Sequence, residues 1–216
     1  MKPMKLASQP TIKRLPSYLH VVEAAAQEGR AYISGTVIAE ELELEPIQVR
    51  KDLAVTGIIG KPRIGFPVNE LIDAINRFLD WHEVHHAVLV GAGHLGSALM
   101  GYAEFPRHGM HIVAAFDPDP AKIGAVINDV PIYSLDELTD QIRQREVDMA
   151  ILTVPSPHAQ AVADLLVQCG IRAIWNFTNV KIKVPEDVVV QKEDLSSGYA
   201  VLSVKMKLFQ PDLSRS

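Results

Sequence analysis

His86-Ala87-Val88-Leu89-Val90-Gly91-Ala92-Gly93-His94-Leu95-Gly96-Ser97-Ala98-Leu99 decides the fold. His86–Val90 reads as a buried strand, Gly91–Gly96 as a turn and Ser97–Phe105 as a helix. The turn matches G-x-G-x-x-G, a weak signal alone and a specific one between a strand and a helix. Asp117 closes the next apolar strand, Ile112–Asp117, at about the twenty-residue separation of a dinucleotide-binding unit. Gly91 permits the tight turn, Gly93 lets a pyrophosphate reach backbone N–H groups, and Gly96 lets the helix lie close to the sheet. Ala92, His94 and Leu95 complete the loop. A carboxylate at Asp117 accepts hydrogen bonds from ribose hydroxyls and repels a 2′-phosphate, which favours NAD(H) over NADP(H). An empty Rossmann-like turn and a coenzyme A site on a related fold stand as alternatives.

The alternation continues outward. Ser134-Leu135-Asp136-Glu137 is a capping box opening a helix, and Val147–Val154 is an apolar strand. Ser156 and Pro157 open a helix that ends at Gly170, and Arg172–Phe177 is another strand. Such a series forces parallel pairing with right-handed crossovers, hence a doubly wound α/β sheet. Thr153, Val154 and Pro155 end a strand at the sheet edge where ligands of open α/β folds bind. They line the nicotinamide side or merely stop the strand; the two readings are balanced.

Before His85 the pattern is helical. Pro16–Gly29 reads as a helix carrying Leu19, Val22 and Ala26, with Gly29 at its C-terminal end. Ser34 caps a second helix with Val37, Ile38 and Leu42 inward, and Pro46 opens a third, Ile47–Val55. In the third, Ile47, Val49 and Leu53 are apolar, while Gln48, Arg50, Lys51 and Asp52 occupy the other faces. Two helices joined by a tight turn, the second presenting Gln and basic residues, fit a helix-turn-helix; the bland reading is a helical hairpin. Gly57–Phe66 follows as a small hairpin or wing, with Lys61 and Arg63 at a Lys-Pro-Arg tip within reach of phosphates or a groove. A helix Asn69–Trp81 closes the region. These patterns divide the chain into a winged helix-turn-helix domain at 1–84, a Rossmann domain at 85–193, and a C-terminal helix and tail at 194–216.

The net charge of -5 argues against indiscriminate nucleic-acid binding, so any DNA contact has to come from a local patch. Apolar runs such as Ala150–Val154 end far short of a membrane span, and the basic start Met1–Arg14 lacks the apolar stretch of a secretory signal. Cys169, the single cysteine, excludes an internal disulfide and reads as core packing. The expectation is a cytoplasmic protein without membrane contact. His82, His85 and His86 read as a solvated linker, and no metal is expected. A dehydrogenase also needs a substrate domain with a proton-transfer group. His158 and Cys169 are the best candidates for such chemistry, but little chain is left to build around them. The expectation is therefore no enzyme, with a small NAD-dependent oxidoreductase carrying a helical dimerisation region as the alternative.

Taken in order, the motifs resemble the Rex redox-sensing transcriptional repressors. The resemblance runs through Arg14-Leu15-Pro16 with Tyr18, Gln48-Val49-Arg50-Lys51-Asp52-Leu53, Gly57 and Gly60, Val90 to Leu99, Ile151-Leu152-Thr153-Val154-Pro155, and Asn176-Phe177 before Val184-Pro185. It implies a homodimer on palindromic double-stranded operator DNA, released when NADH rises over NAD⁺. It also implies a C-terminal helix exchanged between subunits, a role that Leu195–Phe209 suits. The family's switch joins a tyrosine, an aspartate and an arginine; Tyr102 and Asp194 match the first two, and His20 stands at the arginine position. Ala54-Val55-Thr56 replaces the aromatic pair that many members carry before Gly57.

Overall fold

Ser8 starts the first helix, α1 (Gln9–Gln27), by accepting the Thr11 amide at its hydroxyl at 3.3 Å. The helix therefore begins seven residues before the predicted Pro16. Pro10 lies in the first turn, where its missing N–H is harmless, and Pro16 is accommodated inside. The computed structural model describes residues 7–209, and the chain divides between Glu83 and Val84 into two compact units.

The first unit continues with β1 (Tyr32–Ile33), α2 (Gly35–Glu41), α3 (Pro46–Ala54), β2 (Phe66–Pro67) and α4 (Val68–Phe78). Ser34 caps α2 by accepting the Val37 amide at 3.2 Å. Leu15, Tyr18, Leu19 and Val22 of α1 pack with Ile38, Val49, Leu53, Leu71 and Ile75 into one buried core. The wing is built differently from the expected hairpin. Phe66 pairs with Ile33, ahead of α2, so the returning strand finds its partner in β1 and not in Ile58-Ile59. Lys61 and Gly65 close the turn by exchanging backbone hydrogen bonds of 2.7 and 3.0 Å. Gly65 lies at φ +106°, and a Cβ there would collide with the Ile33 carbonyl oxygen.

The second unit contains β3 (His85–Val90), α5 (His94–Met100), α6 (Glu104–Arg107), β4 (Met110–Phe116), β5 (Val126–Ile127), β6 (Val130–Tyr133), α7 (Leu138–Gln144), β7 (Met149–Leu152), α8 (Ala159–Gln168), β8 (Ala173–Asn176), β9 (Val189–Lys192) and α9 (Leu195–Phe209). The sheet order is β5-β6-β4-β3-β7-β8-β9, with every neighbouring pair parallel except β5 and β6. β5 was not legible in the pattern: Asn128 and Asp129, both at positive φ, turn it back onto β6. Another departure concerns the helix after the glycine loop, which breaks at Gly101 into α5 and α6.

Alternation along β3 sends Val88 and Val90 into the core under α7 and α8, and Ala87 and Leu89 into a second core with Met100 and Ile132. Burial on both faces makes the strand read as a continuous apolar run. Topologically, β3 is the switch point, since the chain adds β4 and β6 on one side and β7 to β9 on the other. The crevice outside its carboxyl end is where open α/β sheets take ligands.

Candidate functional site

At that carboxyl end the Gly91 amide donates to Phe116 O at 2.8 Å, and the Thr153 hydroxyl donates to Gly91 O at 2.8 Å and Val90 O at 3.1 Å. Thr153 thus pins the loop to the end of β7, a role the sequence did not disclose. Gly91 sits at φ +105°, and a Cβ there would come within 2.9 Å of the Thr153 carbonyl. At Gly96 a Cβ would strike Gly91 O and lie 3.0 Å from the Leu89 side chain, so α5 packs on the strand only without a side chain. Among the described residues nothing approaches a Cβ at Gly93 within 4 Å, so this glycine faces open space.

A cleft of 720 Å³ runs along these residues, lined by Gly91, Gly93, Asp117, Lys122, Thr153, Val154, Pro155 and His158. Ala92 is buried beneath the loop, while His94 and Leu95 form the first turn of α5. Asp117 is 5% exposed; one oxygen accepts the Asp119 amide and the other the Lys122 ammonium, both at 3.0 Å. Lys122 is a functional-site residue that sequence reading missed, since nothing in its spacing announces it.

In the first unit, Arg50, Lys51, Lys61 and Arg63 are all exposed. A cleft of 640 Å³ lies between α3 and the wing, lined by Arg50, Lys61, Arg63, Ser34 and Thr36. The Tyr32 hydroxyl accepts from Lys61 Nζ at 2.7 Å, which holds the ammonium at the wing base and raises its pKa. Ile47, counted on the apolar face, is 63% exposed on the outer side of α3.

Asp52 is the larger surprise. It is buried, and its carboxylate accepts from Arg14 Nε at 2.7 Å and Nη2 at 3.1 Å, Tyr18 at 2.7 Å, Thr11 at 2.9 Å and Gln48 at 2.9 Å. Burial alone pushes this carboxyl up; the hydrogen bonds from Arg14, Tyr18, Thr11 and Gln48 outweigh it and bring the pKa down to about 2. Gln48, expected at the DNA surface, spends its amide on this cluster. The pattern did contain the signal: Asp52 follows Val49 by three and precedes Leu53, which puts it on the buried face of α3.

The switch candidates occupy both units. His20 is exposed on α1. Tyr102 is 52% exposed, its ring edge-on to Phe105 with centroids 4.8 Å apart. Asp194 starts α9 by accepting the Ser196 amide at 3.0 Å and the Ser196 hydroxyl, which lowers its pKa. Along α9, Leu195, Tyr199, Leu202 and Met206 form one apolar stripe, all more than half exposed. Cys169 ends α8 against the core, 3.2 Å from the Thr139 hydroxyl.

A family described as a CoA binding domain matches residues 82–180, and one described as a putative DNA-binding protein N-terminus matches residues 7–54. A curated redox-sensing transcriptional repressor Rex of Treponema denticola is 56% identical over 206 residues, covering 95% of this chain and 98% of the relative. The chain belongs to the Rex family. The Rex of Bacteroides thetaiotaomicron is 41% identical, over 90% of this chain and 88% of its own. Among solved structures, the Rex-family repressor RSP in complex with β-NAD⁺ and operator DNA matches with TM-score 0.86 at 31% identity, covering 94% of both chains. RSP with β-NADH matches at TM-score 0.85 and 31% identity, over 94% of this chain and 96% of its own. No helix among the described residues is long and apolar enough to cross a membrane.

Proposed function

We propose that this Rex-family chain represses transcription as a homodimer on operator DNA, with NADH and NAD⁺ acting as opposed signals. The observation that carries the reading is the pairing, in one chain, of an exposed basic cleft at α3 and the wing with a glycine-loop cleft closed by a buried carboxylate. RSP, complexed with both operator DNA and β-NAD⁺, supports the same pairing.

In the first unit, Arg50 and Lys51 meet the major groove and phosphates, while Lys61 and Arg63 reach the flanking backbone. In the second, the amides above Gly93 take the pyrophosphate, Asp117 the adenosine ribose, and Thr153 to Pro155 the nicotinamide side. The two redox forms differ by one charge and by ring planarity at the nicotinamide. A ligand of equal affinity for two states shifts nothing, so discrimination arises at that end and not in the shared half. Tyr102, Asp194 and His20 are assigned to relaying it. The α9 stripe is assigned to a second copy of the chain, because six large apolar side chains of one helix stand exposed here, from Leu195 to Met206. The cofactor is read, not turned over, in keeping with the curated relatives named as redox-sensing repressors, and the protein acts in the cytoplasm as a regulator and not as an oxidoreductase.

The test is binding of a palindromic operator and of NADH by wild type and by Arg50→Ala/Lys51→Ala. The reading expects the variant to lose the operator at least tenfold while keeping NADH. Unchanged operator binding, or NADH turnover with a substrate indifferent to the substitutions, contradicts it. Coenzyme A serves as the competitor: displacement of NADH by coenzyme A at equal concentration would favour the alternative that the matched family's description suggests.

A further inference from the structure

Asp117 does not meet the cleft as a lone carboxylate. The turn that follows β4 folds back through three contacts: the Asp119 amide on Asp117 Oδ1 at 3.0 Å, the Ala121 amide on Asp119 Oδ1 at 3.0 Å, and the Lys122 amide on Asp119 O at 3.0 Å. These bring Lys122 round so that its ammonium sits 3.0 Å from Asp117 Oδ2. The lysine side chain remains 35% exposed and lines the same cleft as Gly91 and Gly93. A cation and an anion therefore stand together at the place the dinucleotide reading gives to the ribose hydroxyls.

We propose that Lys122 is a second specificity-determining residue of the dinucleotide cleft: it is the cation that would take a 2′-phosphate, and its pairing with Asp117 withholds it. The inference rests on the dinucleotide reading above. A 2′-phosphate brings close to two negative charges and three acceptor oxygens at neutral pH. Against it, Asp117 contributes repulsion and uses up the ammonium that would otherwise answer the phosphate. Once the carboxylate is neutral, the lysine is released at the place where the phosphate arrives. Contacts between unit charges at such distances change affinity by tenfold or more near a protein surface. In the native pair, the Asp119 amide engages one oxygen of the carboxylate and Lys122 the other, which holds Asp117 against the turn.

The experiment is equilibrium binding of NADH and NADPH, followed by nucleotide fluorescence at fixed salt, to full-length wild type, Asp117→Asn, Lys122→Ala and Asp117→Asn/Lys122→Ala. Asn keeps an oxygen for the Asp119 amide, and circular dichroism verifies the fold; Asp117→Ser is the second variant if Asn does not fold. Expected is a gain in NADPH affinity of at least tenfold in Asp117→Asn, with a comparable loss for NADH, and disappearance of the gain in the double variant. Lys122→Ala alone is expected to weaken NADH about threefold without admitting NADPH. No gain in Asp117→Asn, or a gain that survives Lys122→Ala, overturns the inference while leaving the dinucleotide reading intact. Wild type that binds neither nucleotide contradicts that reading itself.

Discussion

Replacing Asp52 by Ala removes the acceptor that Arg14, Tyr18, Thr11 and Gln48 share, and with it the polar link between α1 and α3. Arg14 is 29% exposed and rehydrates, but the Tyr18 hydroxyl is buried and is left without its partner. An unsatisfied buried hydroxyl and the loss of charge-assisted bonds together cost about 3 kcal/mol. A second route gives a similar scale. The carboxyl is lowered from 3.8 to about 2. At about 1.4 kcal/mol per unit, that is about 2 kcal/mol of stability gained from ionisation. Because the folded value is the lower one, this contribution is full above pH 4 and is lost as pH falls through 2. Trp81 belongs to the first unit and Trp175 to the second, so a Trp175→Phe background leaves a reporter on the unit that holds Asp52. In a urea titration at pH 7, Asp52→Ala should move the midpoint of the Trp81 transition down by roughly 1–2 M. Between pH 4 and pH 2 the parent should lose stability that Asp52→Asn never had. A variant within 0.5 kcal/mol of its parent, or an acid profile that Asp52→Asn reproduces, would refute the clamp.

Other consequences are more local. Gly96→Ala should destabilise the second unit by about 1–3 kcal/mol through its clash with Gly91 O, whereas Gly93→Ala should melt like wild type and lose NADH, which calorimetry and thermal unfolding separate. Lys61→Ala should lower operator affinity and reduce the slope of log affinity against log salt by about one; Tyr32→Phe should weaken binding with the slope unchanged, since it frees the ammonium without removing it. Charging the α9 stripe with Leu202→Glu should shift the sedimentation coefficient from dimer towards monomer, and an unchanged value would count against α9 as the dimer helix.

The second unit was the more legible in sequence because parallel sheets are apolar on both faces and punctuated by glycine at fixed points. Strand, loop and Asp117 follow from that, and the final helix Leu195–Phe209 from apolar residues at helical spacing. What escaped were features set by contacts distant in the chain. β5 depends on two residues at positive φ, and the wing on a two-residue strand that pairs across α2 and α3. Lys122 earns its position from a turn, not from periodicity. Asp52 was read as surface because it is charged, although the spacing to Val49 and Leu53 points inward, and a buried carboxylate is tolerable only with donors that α1 supplies from 34 to 41 residues away. The same cluster explains why Gln48 is half-buried and why the exposed Ile47 takes its place on the outer side of α3. His20, proposed above for the switch, is exposed on α1, and comparing operator affinity of wild type and His20→Ala from pH 6 to 8 tests whether it serves there.

The central claim is that one chain couples a redox nucleotide to DNA. Fluorescence anisotropy of a labelled palindromic operator with the full-length protein, at fixed salt and saturating NAD⁺, measures this most directly when NADH is titrated in. The account predicts retention of the complex with NAD⁺ alone and its release by NADH, with coenzyme A without effect. An operator complex indifferent to both nucleotides would contradict it.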